Sequence, residues 1–471
     1  MSSDRNAPVL RAYLLLGHLL FFGLFALAYL HMPTRVVHVD SAFQIFKWIH
    51  VPGVGVEAHR FTAVVPQLLV KAVATSGAPL HVLLTAASLA HVLVPYVHFV
   101  LIAHGLRLPW IALGLVLSQV LCTRLTFYGI VLEANYLLSY PFLLAALVSG
   151  PLMRTSKPLV LLAVLAALFL VLLVHPVGFI SAVFVLVLLY LRGHTARPVL
   201  LALIGLSAAW PLVFRLLFPP TAYEADLYVS TGVGLGSIAS FFALPGWRFL
   251  IDHTFHFTTH YVAFWVALII LLIVLLRQRA YLQLTWIVVS VAGFIALHVV
   301  TYHGGETAMM MEKNFVPMAA FVALPLLMEF ERLPYRNAWL ALFPFTLVLF
   351  LQFRGISFAS RPTGERLAKI RALVDELHAM DVRKACATPE QLDARGLHIH
   401  WAMAFETLLL SSLEGRDASV TVVVREDCPP GTATADLSGL IPEGELCGNG
   451  TSWFRLPVGS YTVLSAQGSI R

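Results

Sequence analysis

Long apolar segments follow one another through the first three quarters of the chain, and short polar connections separate them. The first segment runs from Ala12 to Leu30 without a charged residue and follows Arg5 and Arg11. A helix that crosses the hydrocarbon core of a bilayer needs roughly 17 to 25 apolar residues. The spans at 108–122 and 136–150 are barely long enough, so we expect them to extend into the residues between them. The pattern predicts eleven transmembrane helices, at 12–30, 80–103, 108–122, 136–150, 158–174, 177–191, 198–217, 261–276, 282–300, 315–330 and 338–353.

The charges in the connections predict the orientation of these helices. With a cytoplasmic N-terminus, each even-numbered connection lies inside and carries Arg or Lys, as the positive-inside rule expects. The odd-numbered connections hold most of the acidic residues of this part of the chain: Asp40, Glu57, Glu133, Glu224, Asp226, Asp252, Glu306 and Glu312. We therefore predict a multi-pass protein of the inner (cytoplasmic) membrane with an acidic outer face.

The first outer loop, 31–78, contains two amphipathic segments, SAFQIFKWI and FTAVVPQLLVKAV. Both are too short to span a bilayer and are interrupted by Pro or Lys. Segments of this kind lie in the plane of the membrane interface. We expect two interfacial helices, joined by the turn-rich sequence HVPGVGVEAH.

The composition changes after Phe353, which divides the chain into a transmembrane domain, 1–353, and a tail, 354–471. The tail predicts an amphipathic helix at 366–380 and strands at 419–427, 452–459 and 460–466. An odd number of spans places this small α+β domain on the extracytoplasmic side. A disulfide can form there among Cys386, Cys428 and Cys447, with one thiol left over. The apolar helix expected at 401–413 is suited to dock on the membrane or on the first loop.

The overall composition excludes two broad classes. With 59% hydrophobic and 12% charged residues among 471, the chain is not an ordinary soluble domain. Its net charge of +6 comes from Arg and Lys placed between apolar segments, which form no basic stripe, so we expect no nucleic-acid partner. The cysteines show no CxxC spacing that would indicate zinc.

Asp40 and Glu133 are the first candidates for chemistry. Asp40 heads the first interfacial helix, where an Asp commonly caps the helix. Alternatively, it is a catalytic carboxylate that deprotonates a hydroxyl or an amine, or that binds Mg²⁺ or Mn²⁺. Glu133 either pairs with Arg124 at the other end of the same connection or faces a cavity, as ionisable groups near lipid usually do.

Other polar residues collect at the same predicted face. His175 ends the fifth helix, where it either hydrogen-bonds the backbone or faces the site. In the first loop, the turn before His59 and Arg60 brings these two residues back toward Asp40. If helical, His253, His256 and His260 share one face, where they either bind zinc together with Asp252 or line the mouth of the site as interfacial histidines. Glu312 and Lys313 either pair with each other or leave Lys313 for an anionic headgroup. The remaining substrate-binding candidates are Arg124, Arg248 and His303.

This arrangement resembles the GT-C glycosyltransferases, polytopic enzymes that take sugars from polyprenyl-phosphate or polyprenyl-diphosphate carriers. The shared features are Asp40 in VDSAFQ, Glu133 between helices three and four, the His175-Pro176 turn and the EKNFVP sequence that begins at Glu312. Interfacial helices in the first loop and an outer C-terminal domain also match. The chain departs from the family where Ser41 follows Asp40 in place of a second acidic residue. Short words such as DSAFQIFK also resemble uncharacterised bacterial polytopic membrane proteins.

The resemblance implies an inverting transfer of a sugar from a polyprenyl-phosphate donor to an extracytoplasmic lipid, glycan or protein acceptor. Asp40 would activate the acceptor, while Arg60, Lys313 and Arg248 would stabilise the departing phosphate and Glu133 and His175 would support the site. A divalent metal, Mg²⁺ or Mn²⁺, is a further expectation, and only Asp40 stands at the position where the family's first-loop carboxylate would coordinate it. The alternatives are a lipid or solute transporter and another outer-face membrane transferase, which moves acyl or phospho-alcohol groups.

Overall fold

The computed structural model describes residues 7–51, 53–150, 158–193, 197–256, 259–429, 436–437, 441–442, 445–448 and 450–464. These residues are mostly helical. In chain order the α-helices are α1 (Ala7–Leu30), α2 (Met32–Val36), α3 (Val39–His50), α4 (Val64–Thr75), α5 (Leu80–Val100), α6 (Pro109–Leu121), α7 (Tyr140–Ser149), α8 (Pro158–Leu172), α9 (Gly178–Leu191), α10 (Arg197–Leu217), α11 (Ala222–Gly236), α12 (Pro245–Phe255), α13 (Val262–Arg277), α14 (Tyr281–Thr301), α15 (Ala308–Phe315), α16 (Met318–Phe330), α17 (Tyr335–Phe358), α18 (Ser360–Ala379), α19 (Pro389–Asp393) and α20 (Met403–Ser412).

The chain is a helical membrane protein, and a helix lies at each of the eleven predicted positions. Among the described residues, six helical stretches are long and apolar enough to cross a membrane. The number becomes seven if α11 and the helices after it, bent by 97°, count as one span. Helices α6, α7, α8, α9 and α13 are shorter apolar helices of 10 to 16 residues.

The expectation that α6 and α7 extend toward each other is wrong. The connection between them instead forms two buried 3-10 turns, Leu125–Phe127 and Glu133–Leu138. Pro141 in the first turn of α7 has no N–H to donate, which suits the start of a helix but not its interior. The buried connection thus places Glu133 inside the protein near one end of the bundle.

Helix α16 is the central helix of the bundle, and almost all of it is buried. It packs closely on α6, where a Cβ on Gly114 would lie 3.2 Å from the carbonyl oxygen of Ala323. Small residues permit this approach of two helix backbones, which is a common packing mode in membranes. Helix α15 precedes α16 directly, so the charged residues of α15 stand at the end of the most buried helix.

The first loop forms the two expected helices, α3 and α4, with a 3-10 turn at Phe61–Ala63 before α4. The turn between them is held by Gln67, whose side chain accepts a hydrogen bond from Gly55 N at 2.9 Å and donates one to Gly55 O at 2.6 Å. Ala58 and His59 follow with φ of 45° and 56°, a left-handed conformation that non-glycine residues rarely adopt. This turn reverses the chain just before Arg60, which meets Glu133 in the connection between α6 and α7.

The segment after α17 contains helices α18, α19 and α20 and the strands β1 (Lys384–Ala387), β2 (Thr421–Val424), β3 (Asp436–Leu437), β4 (Ile441–Pro442) and β5 (Thr462–Val463). A parallel sheet has the order β2-β1-β5, and β3 pairs antiparallel with β4. The sequence missed β1. The strand expected at 452–459 is wrong, since within the described residues that stretch makes a single isolated bridge, between Leu456 and Cys447.

A disulfide joins Cys386 of β1 to Cys428, across a Cα separation of 5.8 Å. Cys447 takes no part in it, and its thiol donates to the carbonyl of Pro457 at 3.5 Å. One apolar core extends from this segment into the first loop, because α20 packs against both β2 and α3. Its members include Phe46, Ile49, Phe405, Leu409 and Val422.

Candidate functional site

Asp40 is the second residue of α3, and its carboxylate is half-buried. The N-cap position belongs to His38, so the capping role weighed for Asp40 does not describe this residue. In the described part of the chain, no group donates a hydrogen bond to the Asp40 carboxylate. A buried carboxylate normally accepts several hydrogen bonds, so one that accepts none is available to a substrate.

Lys313 on α15 is the cationic counterpart of Asp40. It is only 3% exposed, and no acceptor among the described residues meets its ammonium group. Asp40, Glu133 and Arg60 are near enough to interact with it electrostatically. An ammonium buried without hydrogen bonds is costly, which favours a function for Lys313 in binding an anion.

Arg60 and Glu133 form a buried ion pair beside these two residues. Arg60 Nη1 donates to Glu133 Oε2 at 2.7 Å, and both side chains are largely buried. Glu133 therefore pairs with Arg60, and the Arg124 pairing weighed from the sequence is not the one observed. The ion pair ties the reversed turn of the first loop to the connection between α6 and α7.

A recess lies next to the ion pair, with about 410 Å³ of space between its lining residues, part of it open to solvent. Its polar edges come from His59, Arg60 and His175, and its walls are aromatic and aliphatic, including Trp210 and Tyr228. His59 Nδ1 lies 4.0 Å from Glu224 Oε2. His175 Nδ1 accepts a weak hydrogen bond from Val177 N at 3.4 Å. Apolar walls with a few convergent polar groups are typical of small-molecule sites.

The charges of this cluster influence one another. Burial, the largest effect, raises the pKa of the Asp40 carboxyl; Lys313 and Arg60 lower that pKa, and Glu133 and Glu406 raise it.

Burial likewise lowers the pKa of His175 well below its ordinary value, and the positive charges of Arg60 and Lys313 act in the same direction. His175 is thus neutral at physiological pH and available as a hydrogen-bond donor or acceptor.

Glu312 has a structural position although it neighbours Lys313 in sequence. Its carboxylate accepts hydrogen bonds from the backbone N–H groups of Arg124, Leu125 and Thr126 at 2.6 to 3.0 Å. The Thr126 hydroxyl donates to it at 2.7 Å. Glu312 therefore holds the buried connection in place and pairs with this loop and not with Lys313.

The segment after α17 reaches the site through Glu406 of α20. This carboxylate is fully buried and accepts a hydrogen bond from Val39 N at 3.0 Å. Arg366 of α18 binds it with two hydrogen bonds, of 2.9 and 2.6 Å. Val39 has a φ of 31°, which is strained for a β-branched residue. Glu406 thus fixes the strained start of α3, one residue before Asp40.

Three of the sequence candidates lie elsewhere. The Arg124 side chain packs closely on α17. A Cβ added to Gly355 would lie 2.6 Å from Arg124 Nε. Arg248 is exposed on α12. His303 lies 3.5 Å from the Ser230 hydroxyl, after the end of α14.

The shared face expected for three histidines does not form. Helix α12 ends at Phe255, one residue before His256. His256 is exposed beside Asp252, whereas His260 is buried with its Nδ1 3.7 Å from Glu312 Oε2.

Sequence reasoning missed Glu406 and Arg366 as contributors to this region. Glu406 is the single charged residue in the apolar run WAMAFETLLLSSL, which was an available signal. Its partner Arg366 is 40 positions away, and nothing local indicates that pairing.

Within the described residues, no group of three or more His, Cys, Asp or Glu side chains is placed to hold a metal ion. The donors near Asp40 are cations and a carboxylate already paired with Arg60. The residues present therefore do not fit a divalent metal.

Comparison of the chain with protein-family models, curated proteins and solved structures finds no match.

Proposed function

We propose that this protein is an inverting glycosyltransferase of the GT-C type, which moves a sugar from a polyprenyl-phosphate donor to an extracytoplasmic acceptor. The observation that carries the proposal is the relationship of Asp40 and Lys313. A carboxylate and a buried ammonium, neither with a hydrogen-bond partner in the described chain, lie within each other's electrostatic influence. Such a pair is suited to a reaction that needs a base and an anion-binding cation in one place.

In the proposed reaction, Asp40 takes the proton of an acceptor hydroxyl or amine. The freed electron pair attacks the anomeric carbon of the sugar, and the bond from that carbon to the phosphate oxygen breaks. Polyprenyl phosphate leaves with the electron pair of that bond, and configuration inverts at the sugar. Lys313 stabilises the negative charge that develops on the leaving phosphate, which is an electrostatic role that dry, preorganised sites perform well.

The other residues of the cluster have supporting roles in this proposal. In this proposal the sugar lies at the recess beside Arg60, where the aromatic walls offer apolar faces to the ring and its hydroxyls meet His59 and His175. The Arg60–Glu133 pair, which is neutral as a whole, holds the first loop against the bundle. Arg248 is exposed on α12, so we assign it no part in the reaction.

The proposal also includes the topology in which this site functions. Eleven spans with a cytoplasmic N-terminus would place the first loop, α15 and a small C-terminal domain together on the outer side. The docking of α20 on α3 supports a C-terminal domain that shares a side with the first loop, because both contribute to one apolar core.

The experiment uses the purified full chain in lipid nanodiscs with a radiolabelled polyprenyl-phosphate sugar and a membrane-derived acceptor mixture. We expect release of free polyprenyl phosphate together with a labelled acceptor. Lys313→Met should reduce turnover by at least about a hundredfold, as expected for loss of a transition-state charge partner. The matched control Lys369→Met, on the exposed face of α18, should leave turnover unchanged. Movement of intact labelled lipid across the bilayer, without release of polyprenyl phosphate, would favour a transporter and overturn the proposal.

A further inference from the structure

Arg35 is a fully buried cation that the proposed reaction does not use. It lies on α2, is 2% exposed, and is among the largest buried side chains. Its Nε donates to Phe127 O at 2.9 Å, and its Nη1 donates to Ser88 O at 2.7 Å and to Ser88 Oγ at 2.8 Å. The guanidinium also lies over the Phe127 ring, 4.2 Å from its centroid. All of these partners are neutral.

Arg35 differs from the other largely buried arginines in having no carboxylate partner among the described residues. Three other largely buried arginines each meet a glutamate: Arg60 meets Glu133, Arg192 meets Glu329 and Arg366 meets Glu406. No ion pair of Arg35 occurs in the described part of the chain. A buried charge is normally paired, because the protein interior does not replace the solvation that the charge loses.

A polar cavity adjoins the Arg35 guanidinium, between α1, α5 and the buried connection. Its lining includes Arg35, His91, Gln119, Thr123 and Tyr136, and about 550 Å³ of space, part of it open to solvent, lies between these residues. Only a small part of that space is wide enough for a water-sized particle. A sugar or a lipid headgroup therefore does not fit.

Among the described residues, three buried polar atoms of the lining have no hydrogen-bond partner: His91 Nε2, Thr123 Oγ1 and the amide oxygen Oδ1 of Asn135. The Tyr136 hydroxyl meets His91 Nδ1 on the other side of the ring. When that hydroxyl donates, the neutral imidazole carries its proton on Nε2. His91 Nε2–H and the Thr123 hydroxyl are then two unused donors beside an unneutralised guanidinium.

We propose that this cavity binds a small monovalent anion of the halide class, held by Arg35, Thr123 and His91. The anion supplies the negative charge that the structure does not provide as a side chain, and it satisfies the two unused donors. The inference is independent of the proposed enzymatic function, because none of the three residues belongs to the Asp40 cluster.

The anion would stabilise the same connection that Glu312 holds. Arg35 binds the carbonyl of Phe127 and Thr123 lines the cavity, while Glu312 binds the N–H groups of residues 124–126 from another direction. Occupancy should therefore raise the stability of the whole fold, since a ligand that binds only the folded state stabilises it by mass action.

The test measures the unfolding temperature of the full chain in nanodiscs, with chloride or bromide replaced by gluconate at constant ionic strength. We expect a rise of roughly 1 °C for each tenfold increase in halide above its dissociation constant. Thr123→Val should weaken the halide dependence at least several-fold, and Arg35→Met should remove it. Thr85→Val, which changes a threonine on α5 away from the cavity, should keep the wild-type response. Crystals grown in bromide should show an anomalous peak beside the Arg35 guanidinium.

Equal unfolding temperatures in halide and gluconate, without a bromide peak, would mean that water fills the cavity and would overturn the inference. A halide response retained in both Thr123→Val and Arg35→Met would place the anion elsewhere and would also overturn it. If Arg35→Met does not fold, the Thr123→Val titration and the bromide peak decide the question.

Discussion

The carboxylate of Glu406 accepts a hydrogen bond from the backbone N–H of Val39 at 3.0 Å, although 367 positions separate the two residues in the chain. This contact fixes the start of α3 from a helix near the other end of the sequence. Because Asp40 follows Val39, the position of the proposed base depends on an element that lies outside the membrane helices. The C-terminal segment is thus part of the site's architecture.

Replacement of Glu406 by Gln should damage both stability and turnover. Gln retains an oxygen for Val39 N, but Arg366 loses its buried counter-charge, and removal of one partner of a buried ion pair costs about 3–5 kcal/mol. The free energy of unfolding and the rate of sugar transfer should both fall. Glu414→Gln, which changes an exposed glutamate just after the same helix, is the matched control and should alter stability by less than about 1 kcal/mol. A stable and fully active Glu406→Gln variant would show that the contact does not position Asp40.

The Arg60–Glu133 pair should show a measurable coupling energy. Both side chains are largely buried at a separation of 2.7 Å, so the field of one reaches the other with little screening by solvent. A double-mutant cycle with Arg60→Met and Glu133→Gln should give a coupling of about 1–3 kcal/mol in the free energy of unfolding. The same cycle on Arg395 and Glu376, a more exposed pair, should give less than about 1 kcal/mol. Equal couplings for the two pairs would contradict the buried arrangement.

Substitution of Glu312 should lower the stability of the fold, whereas substitution of its neighbour Lys313 should lower turnover. Glu312→Gln weakens hydrogen bonds from three backbone N–H groups and one hydroxyl, so we expect a loss of roughly 3 kcal/mol or more in unfolding free energy. Lys313→Met removes a cation without partners in the described chain and should leave stability equal or higher while turnover falls. Glu306→Gln, at an exposed site before α15, serves as the control for stability. A destabilised Lys313→Met would indicate a structural role for that ammonium.

The pH dependence of turnover should reveal the raised pKa of Asp40. A base acts only when ionised, so the acidic limb of kcat/KM should have its midpoint above 3.8, the ordinary value for Asp. The ionisation of Asp40 affects stability in the opposite direction: turnover rises with pH, whereas the free energy of unfolding falls. Since the folded chain binds the Asp40 proton more tightly than the unfolded chain, stability should fall as pH rises from 3.8 through the raised pKa. Asp40→Asn should remove that fall, and a midpoint at or below 3.8 would contradict the buried environment.

The hydrophobic pattern located the helices well, because the backbone N–H and C=O groups of an apolar segment in lipid must form hydrogen bonds within that segment, and a helix achieves this. It also predicted the interfacial pair α3 and α4 from their short amphipathic form. It did not predict that residues 122–139 fold into buried 3-10 turns. Those turns are held by Glu312, which lies almost 190 positions away in the chain. The sequence of the connection itself therefore does not indicate them.

Within the candidate site, the sequence singled out Asp40, Glu133, Arg60, His59, His175 and Lys313, which the structure places in one region. It did not distinguish them from Arg248 and His303, because residue type and predicted side of the membrane are equal for both groups. Glu406 was hidden for a different reason. Its significance depends on how α20 packs against α3, which is a long-range contact that periodicity does not encode.

The most direct test of the account is the comparison of wild-type protein with Asp40→Asn in the labelled polyprenyl-phosphate assay, with the unfolding temperature measured in the same preparation. Asp226→Asn, at an exposed position on α11, is the matched control. The account predicts that Asp40→Asn abolishes release of polyprenyl phosphate while its unfolding temperature equals or exceeds that of the wild type, because a half-buried carboxylate without hydrogen bonds is replaced by a neutral group. Sugar transfer by Asp40→Asn at the rate of the Asp226→Asn control would contradict it.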